Sequence, residues 1–409
     1  MATFTDGITI TGGITIIGGG PAFTDGVHIG TASNTTTGIR TVHYDTASDK
    51  LFGFSSGFST VRLGSTTGGN EVTWDSSQSF ISRSIGSYGP GYVCSDPDTS
   101  QVLVAYTTNS GNSEVAVASL SNGTVTVGTP VQLFTSNTSV VVRGMIYDTN
   151  RDEVIVMAVH DVGSSNYGGG VYGIVGSVGT RTVTFGTPIN ITGSSQEMFS
   201  GSYTWQWNKW EGGIEWDSNN NKFLMIYYER PTSSGSSNYR YLASGVNNGT
   251  SISIGSPNQL SYAWSANQDS YYGSNGEIKC VGSDQYVLAQ LGRNSYGGDS
   301  RFINAHLVTV SGNAVSVSAN VTVASAADDQ FIELGYDSSS NTNIIAYSTD
   351  SDSNNAAVRV GSISNSTLSF QDAVSTSPWA AKSITYDSNN NKLAFASDND
   401  YTGVIDISQ

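Results

Sequence analysis

Two short segments of the sequence, residues 193–211 and 262–275, concentrate aromatic side chains among polar neighbours. Four of the seven tryptophans lie in them, so the clustering is not a matter of overall composition. Exposed aromatic rings are costly unless they have a partner or a packing role, and their flat faces suit stacking on sugar rings. The side chains that we predict to bind a ligand are Tyr203, Trp205, Trp207, Trp210, Tyr262, Trp264, Tyr271, Tyr272, Arg230 and Arg293. Two alternatives stay open: a small local core made by the same rings, or a contact with another protein.

Motifs for catalysis or metal binding are weak. The sequence contains no G-x-S-x-G elbow, phosphate loop or zinc-protease motif. Paired carboxylates for glycoside hydrolysis could come from distant segments, and Asp269 with Glu197 or Glu211 would be the first candidates. We nevertheless predict a protein without enzymatic activity, cofactor or metal. None of the four histidines has metal-ligand spacing to another His or Cys: His28, His43, His160 and His306.

An aspartate recurs along the chain at intervals of 51, 52, 69, 67, 53 and 50 residues. The seven copies are Asp45, Asp96, Asp148, Asp217, Asp284, Asp337 and Asp387. Such a set could form a carboxylate ring around a cation, but aspartate at this kind of position more often accepts hydrogen bonds from turn amides. The DSNNN runs at 217–221 and 387–391 lack the spacing and the final Glu of an EF-hand loop. We therefore predict a turn role for these aspartates.

The elements around each aspartate are two short strands of alternating apolar residues, joined by a polar turn. TVHYDTASDKLFGF from 41 and ITYDSNNNKLAFAS from 384 are two of the seven copies. Two further strands follow in each unit, as in GGVYGIVGSV (169–178) and RTVTFGTPINIT (181–192). Four antiparallel strands repeated about every fifty residues are typical of a propeller blade. The sequence therefore predicts an all-β fold, a seven-bladed β-propeller of four-stranded antiparallel blades.

The seventh unit shows only three strands before the chain stops at Gln409. We expect its outer strand to come from AFTDGVHIGTA (22–32), which would close the ring. Residues 22–409 would then form the propeller, and residues 1–21 a short β-prone extension able to dock on another chain by strand addition. Both aromatic segments connect one blade to the next, so we expect them on one face. Loops within blades should add Asn166, Tyr167, Glu229 and Tyr296 to that face.

Charge and composition limit the classes of partner that we expect the chain to bind. The formal net charge is −16, which disfavours nucleic acid and anionic membrane surfaces as partners. We find no segment suited to membrane insertion and no signal peptide, and therefore expect synthesis in a cytoplasm. Cys94 and Cys280 are the only cysteines, and we predict that both are buried free thiols. No coiled-coil heptads enforce an oligomer, although a homo-oligomer stays open.

The fourth-strand segments VTVGTPVQL (125–133), VTFGTPINI (183–191) and SIGSPNQL (253–260) resemble repeats of tailed-bacteriophage virion proteins. The opening GITITGGITI (7–16) is similar to the starts of structural proteins from phages of aquatic bacteria. This resemblance implies a virion component whose partners are other virion proteins. Our leading interpretation of this resemblance is a tail fibre or adhesin that recognises a host-surface component, such as a glycan. A capsid or tail decoration protein with a purely structural docking role is the alternative, and a polysaccharide-degrading enzyme is a third.

Overall fold

The repeated hairpin forms because each copy supplies alternating apolar positions and a turn with suitable backbone preferences. In six blades the residue directly before the second strand has a positive φ: Asp49, Asp152, Asn221, Asp284, Asn341 and Asn391. Aspartate and asparagine enter this left-handed region more readily than other residues with a β-carbon. The DSNNN runs are therefore turn sequences.

The computed structural model describes most of the chain. The described residues are 28–29, 33–34, 38–66, 71–82, 91–134, 139–161, 171–191, 213–229, 239–260, 276–293, 301–325, 332–348, 356–376, 381–397 and 401–406. Regular structure in these ranges consists of β-strands and one 3-10 turn at Ser56–Phe58. The extension at 1–21 lies outside them.

The strands form seven antiparallel sheets, one for each repeat. The innermost strands are Ile39–Asp45, Tyr92–Asp96, Ser139–Asp148, Ile214–Asp217, Gly276–Gly282, Ile332–Asp337 and Ala381–Asp387. The second strands are Lys50–Ser55, Gln101–Thr107, Glu153–Asp161, Lys222–Glu229, Gln285–Arg293, Thr342–Ser348 and Lys392–Ser397. The third strands are Thr60–Ser65, Ser113–Ser121, Val171–Gly179, Tyr239–Asn247, Arg301–Ser311, Ala356–Ser364 and Tyr401–Asp406. The predicted seven-bladed β-propeller is confirmed.

Each outer strand is divided into two pieces that pair with the same third strand. In blades one to six the first pieces are Thr73–Trp74, Thr124–Val127, Thr182–Phe185, Ile252–Ile254, Ala314–Val317 and Thr367–Phe370. The second pieces are Gln78–Ser79, Val131–Gln132, Ile189–Asn190, Asn258–Gln259, Val321–Ala324 and Val374–Ser375. In blades two to four a glycine and a proline separate the pieces, and a proline cannot donate a ladder hydrogen bond. A β-carbon on Gly128 or Gly255 would collide with the carbonyl oxygen of Arg181 or Asn313 in the next blade. The motif therefore lets neighbouring blades approach closely.

The two ends of the chain share blade seven. His28–Ile29 pairs with Ile405 and Asp406, and Ser33–Asn34 pairs with Tyr401 and Thr402. These two pieces repeat the divided outer strand of the other blades, so the predicted closure by the N-terminal region is confirmed. The second piece lies just beyond the predicted window of 22–32.

The hydrophobic core is a series of layers between blades, because neither face of a blade's sheet can be covered by its own strands. The layer between blades five and six includes Val287, Leu307 and Ile345. The layer between blades seven and one is split into two small clusters, both of which contact Trp74. The Trp74 indole Nε1 also donates a hydrogen bond of 2.9 Å to the Thr402 hydroxyl. Polar bonds thus supplement a thin core where the ring closes.

Candidate functional site: the axial channel

The seven innermost strands surround the axis of the ring, each in contact with the innermost strand of both neighbouring blades. Above the strand-end aspartates, these strands carry four basic residues and three glutamates, a net positive balance in a chain of formal charge −16. The basic residues are Arg40, Arg143, Lys279 and Lys382, and the glutamates are Glu215, Glu277 and Glu333. The part of the axis above the aspartates thus differs in charge from the protein as a whole.

His43, Glu215 and Lys279 form a mid-channel group at one level. Each pairs with the third residue of its blade's second strand. The Lys279 ammonium lies 2.6 Å from a Glu215 carboxylate oxygen. Burial opposes the charge of Lys279, but Glu215 and Glu277 outweigh it and raise the pKa of the lysine. This group therefore holds an internally compensated ion pair.

His43 faces that ion pair from the far side of the ring. Burial, with a contribution from Lys279, lowers the pKa of His43 to about 4. Because His43 is in blade one and Lys279 in blade five, they can influence each other only across the axis. His43 is therefore neutral at pH 7, and both side chains face the channel.

A second level, nearer the ends where the innermost strands begin, carries three basic residues that we name the cationic rim: Arg40, Arg143 and Lys382. In each case the hairpin ladder skips the basic residue, from Ile39 to Thr41, from Val142 to Gly144 and from Ala381 to Ser383. A β-bulge leaves its extra residue outside the ladder and redirects the side chain. The three bulges occur at the same level of their hairpins.

Two members of the rim lie in adjacent strands at the closing seam. The Val42 amide donates a 3.1 Å bond to the Ser383 hydroxyl, which in turn lies 3.2 Å from the Val42 carbonyl oxygen. The Tyr44 amide donates a 3.0 Å bond to the Thr385 hydroxyl. These bonds set the relative height of blades one and seven, and with it the juxtaposition of Arg40 and Lys382.

Lys382 shows the electrostatic effect of this juxtaposition. Burial first, and then the neighbouring Arg40, lower the pKa of Lys382 to about 7, while Glu333 of blade six acts in the opposite direction. The Arg40 guanidinium also donates a 3.3 Å bond to the Ser397 carbonyl oxygen of blade seven. Two cations that share a partly desolvated position disfavour each other's charge, and an anion placed between them would favour both. The rim therefore holds positive charge in a partly desolvated position.

The repeated aspartates have the predicted turn role. Six of them, which we name the aspartate turns, are buried at the ends of innermost strands: Asp45, Asp96, Asp148, Asp217, Asp337 and Asp387. Asp387, for example, accepts bonds from the Asn389 and Asn390 amides, both at 3.1 Å. Several also accept a bond from the next blade, as Asp148 does from the Asn247 side chain at 2.9 Å. Among the described residues no group of three or more His, Cys, Asp or Glu side chains is arranged to hold a metal ion.

The prediction that Asp284 is equivalent to the other six repeated aspartates is wrong. The turn of blade five is shorter, and its innermost strand ends at Gly282, which pairs with Gln285. Asp284 lies in the turn itself, where its amide donates a 2.7 Å bond to Asp217 of blade four. Its carboxylate lies 3.5 Å from the Lys222 ammonium.

Most of the predicted ligand-binding residues lie outside the described residues: Tyr203, Trp205, Trp207, Trp210, Tyr262, Trp264, Tyr271, Tyr272 and Arg230. The hydrolase candidates Asp269, Glu197 and Glu211 lie outside them too. Arg293 ends the second strand of blade five, although its side chain is not among those described. The strands that flank both aromatic segments end or begin at the edge of the ring where the innermost strands start, and we name this edge the loop face. The cationic rim is at the same edge.

The two cysteines are free and differ in burial. Cys94 is buried as predicted, whereas Cys280, beside the bulge between Cys280 and Gly282, is only half-buried. Burial is the main cause that raises the pKa of both thiols, to about 12 for Cys280. A thiol with so little thiolate at neutral pH is a poor nucleophile.

Our reading of the sequence did not identify the rim, although a signal was present. Arg40, Arg143 and Lys382 each stand five residues before a repeated aspartate. Alignment of the repeats on the aspartates would have placed four basic residues in one column, because Lys279 stands five residues before Asp284; the structure puts Lys279 at the mid-channel level instead. Lys and Arg together number only 17 among 409 residues, so their recurrence at one position of the repeat was a usable signal.

No helix among the described residues is long and apolar enough to span a membrane.

Comparison with known proteins supports the fold and assigns no family. No family model and no curated protein matches the chain. A Lactobacillus plantarum protein is similar in structure, with a TM-score of 0.51, 10% identity and coverage of 84% of this chain and 86% of that one. The β-propeller domain of Cps50 (Swd1) from Myceliophteria thermophila has a TM-score of 0.52 and 10% identity over 93% of this chain and 99% of that one. At such identities the likeness is one of fold alone.

A Bacteroides uniformis protein assigned provisionally as a 6-phosphogluconolactonase is also similar, with 11% identity over 87% of each chain. Its TM-score of 0.46 is too low to support any argument about activity. The expectation that this chain is not an enzyme stays a prediction.

Proposed function

We propose that this chain is a recognition protein of a bacteriophage virion, a tail-fibre or adhesin component that binds carbohydrate on the host surface through its loop face. The binding part is supported above all by the cationic rim, which gathers basic side chains at one end of the channel of an acidic protein. We expect the aromatic segments, which connect strands that end or begin at this face, to add stacking surfaces. The virion part rests on the resemblance of the fourth-strand segments alone.

The mid-channel group is consistent with a protein that binds a ligand without catalysing a reaction. Its lysine and glutamate are paired with each other at 2.6 Å, and its histidine has a pKa of about 4. A general base that operates near neutral pH needs a pKa closer to that pH. This arrangement suits a rigid channel wall better than proton transfer.

A glycan array probed with the full chain tests the binding part. We expect binding to a restricted set of glycans and a loss of at least tenfold when Trp205, Trp207 and Trp210 are replaced together by Ala. Asp98→Ala changes an exposed turn residue at the opposite edge and serves as the control. No binding to any glycan, or equal binding by the tryptophan variant, would contradict the proposal.

Immuno-electron microscopy of the phage that encodes the chain tests the virion part. Label at the tail tip or on fibres is the expected result. Label over the capsid shell or along the tail would instead favour the decoration alternative. Absence of the chain from purified particles would overturn both.

A further inference from the structure

The turns between third and outer strands include Asn-Gly pairs, in which the asparagine can lose its side-chain amide by intramolecular chemistry. Two such pairs lie wholly within the described residues, Asn122-Gly123 in blade two and Asn248-Gly249 in blade four. We propose that Asn122 is a site of spontaneous deamidation, in which its amide becomes a carboxylate, and that contacts within the blade-four turn protect Asn248 from the same reaction.

The reaction needs only the two residues of the pair and water. The Gly123 backbone nitrogen loses its proton to solvent and attacks Cγ of Asn122, and the bond from Cγ to Nδ2 breaks as ammonia leaves. Water then opens the resulting cyclic imide at either of its carbonyls. Opening at Cγ gives aspartate, whereas opening at the main-chain carbonyl gives isoaspartate, in which the backbone runs through the β-carbon. Glycine favours the first step because it has no side chain to crowd its nitrogen.

The turn of blade two leaves both reacting groups accessible. Ser121 pairs with Thr124, so Asn122 and Gly123 alone make the turn, and both are exposed to solvent. Their φ angles are positive, at 50° and 76°, as in the two-residue turns that suit β-hairpins. Within the described part of the chain, no hydrogen-bond partner is found for the Asn122 side chain or for the Gly123 amide. Neither the leaving amide nor the attacking nitrogen is therefore held in place.

The turn of blade four holds the corresponding groups. The Asn248 side-chain nitrogen donates a 2.8 Å bond to the Ser253 hydroxyl, and the Gly249 amide donates a 2.9 Å bond to Oδ1 of Asn247. Asn247 is itself buried, and its side-chain nitrogen donates bonds of 2.9 and 2.8 Å to two carboxylates of blade three. The attacking nitrogen must therefore leave a firmly held acceptor before it can react.

Conversion of Asn122 acts on the junction between blades one and two. The Gln78 side chain of blade one donates a 2.9 Å bond to the Gly123 carbonyl oxygen and accepts a 2.9 Å bond from the Val125 amide. Isoaspartate adds an atom to the backbone of this turn and so displaces the carbonyl from Gln78. The modification thus weakens a contact between neighbouring blades and adds a negative charge at the edge of the ring.

Peptide mass spectrometry of the full chain during incubation at pH 9, with separation of aspartate from isoaspartate, tests the proposal. Alkaline pH is chosen because it promotes loss of the glycine proton. We expect Asn122 to convert at least tenfold faster than Asn248 in the folded protein. In urea sufficient to unfold the chain the two rates should become similar, because the protecting contacts are then absent.

Ser253→Ala is the matched variant, since it releases the Asn248 side chain and leaves blade two unchanged. It should raise the rate at Asn248 at least threefold and leave the rate at Asn122 as it was. Thr126→Ala removes an exposed hydroxyl from the outer strand of blade two and should change neither rate.

Three results would overturn the proposal. The first is a rate at Asn248 that equals or exceeds that at Asn122 in the folded chain. The second is the same ratio of rates in urea, because sequence alone would then explain the difference. The third is an unchanged rate at Asn248 in Ser253→Ala, which would remove the protective role of the blade-four contacts.

Discussion

The aspartate turns and the cationic rim both lie on innermost strands, at opposite ends of the channel, but they are distributed differently among the blades. The aspartate turns repeat in six blades, and carboxylates such as those of Asp217 and Asp387 are met by turn amides and by the next blade. The rim occurs in three blades only, and there one cation lowers the pKa of another. In a repeat protein, a residue present in every copy is explained by the fold, whereas a deviation shared by a few copies points to a local task.

The largest expected effect concerns the aspartate turns. Asp387→Ala leaves three donors of its own turn and the Thr66 hydroxyl without their acceptor. Loss of a buried acceptor of this kind should lower the free energy of unfolding by about 3 kcal/mol. Urea denaturation monitored by circular dichroism measures it.

Asp284→Ala is the matched comparison, because the sequence repeat places it in the same series. Its amide bond to Asp217 does not involve the side chain. Alanine loses the partly exposed contact with Lys222 and adopts the positive φ of this position less readily than aspartate. The cost should be about 1 kcal/mol. Equal costs for the two substitutions would mean that position in the repeat matters more than the observed contacts.

A smaller effect is expected from His43, a channel residue that must stay neutral. Its pKa is about 4 in the folded protein and 6.5 in the unfolded one, so only the unfolded state gains a proton as the pH falls through this window. The free energy of unfolding should decrease from pH 6.5 to pH 4 by about 2 kcal/mol on account of this residue. In His43→Gln this part of the decrease should disappear, as measured by urea denaturation at both pH values. An unchanged slope would show that the acid sensitivity resides elsewhere.

The smallest effect is expected at the rim, with the opposite sign. Lys382 has a pKa of about 7 in the folded protein and 10.5 in the unfolded one. The destabilisation of the folded state by its buried charge is therefore fully present below pH 7 and is lost as the pH rises to 10.5. Lys382→Met should therefore raise the free energy of unfolding by about 1 kcal/mol at pH 7 and flatten its rise between pH 7 and pH 10.5. A site kept for binding at the expense of stability should behave in this way. If the variant is less stable at pH 7, the lysine is a structural element like the aspartates.

The fold could be predicted from the sequence because its determinants are local and repeated. The hairpin, its aspartate and the divided outer strand recur in a pattern that periodicity alone reveals, and even closure by residues near His28 followed from a missing strand. Asp284 could not be placed in this way, since its blade shortens the turn while keeping an aspartate nearby.

The channel was harder to predict because its properties arise between blades. The coupling of His43 with Lys279 joins residues far apart in sequence, and that of Arg40 with Lys382 joins opposite ends of the chain. Nothing in either local segment specifies such a partner. The aromatic segments, by contrast, were conspicuous in the sequence, and their ligand-binding role stays a prediction.

The sharing of blade seven by both chain ends has a consequence for the order of events during synthesis. His28 emerges from the ribosome long before its partner Asp406. At about 5 to 20 residues per second, some 20 to 75 seconds separate the two. Throughout that interval blade one lacks blade seven as a neighbour, and the Trp74 indole lacks the Thr402 hydroxyl as its hydrogen-bond acceptor. The early blades must therefore remain soluble as an open arc, a task for which a strongly acidic, charge-repelling surface is well suited.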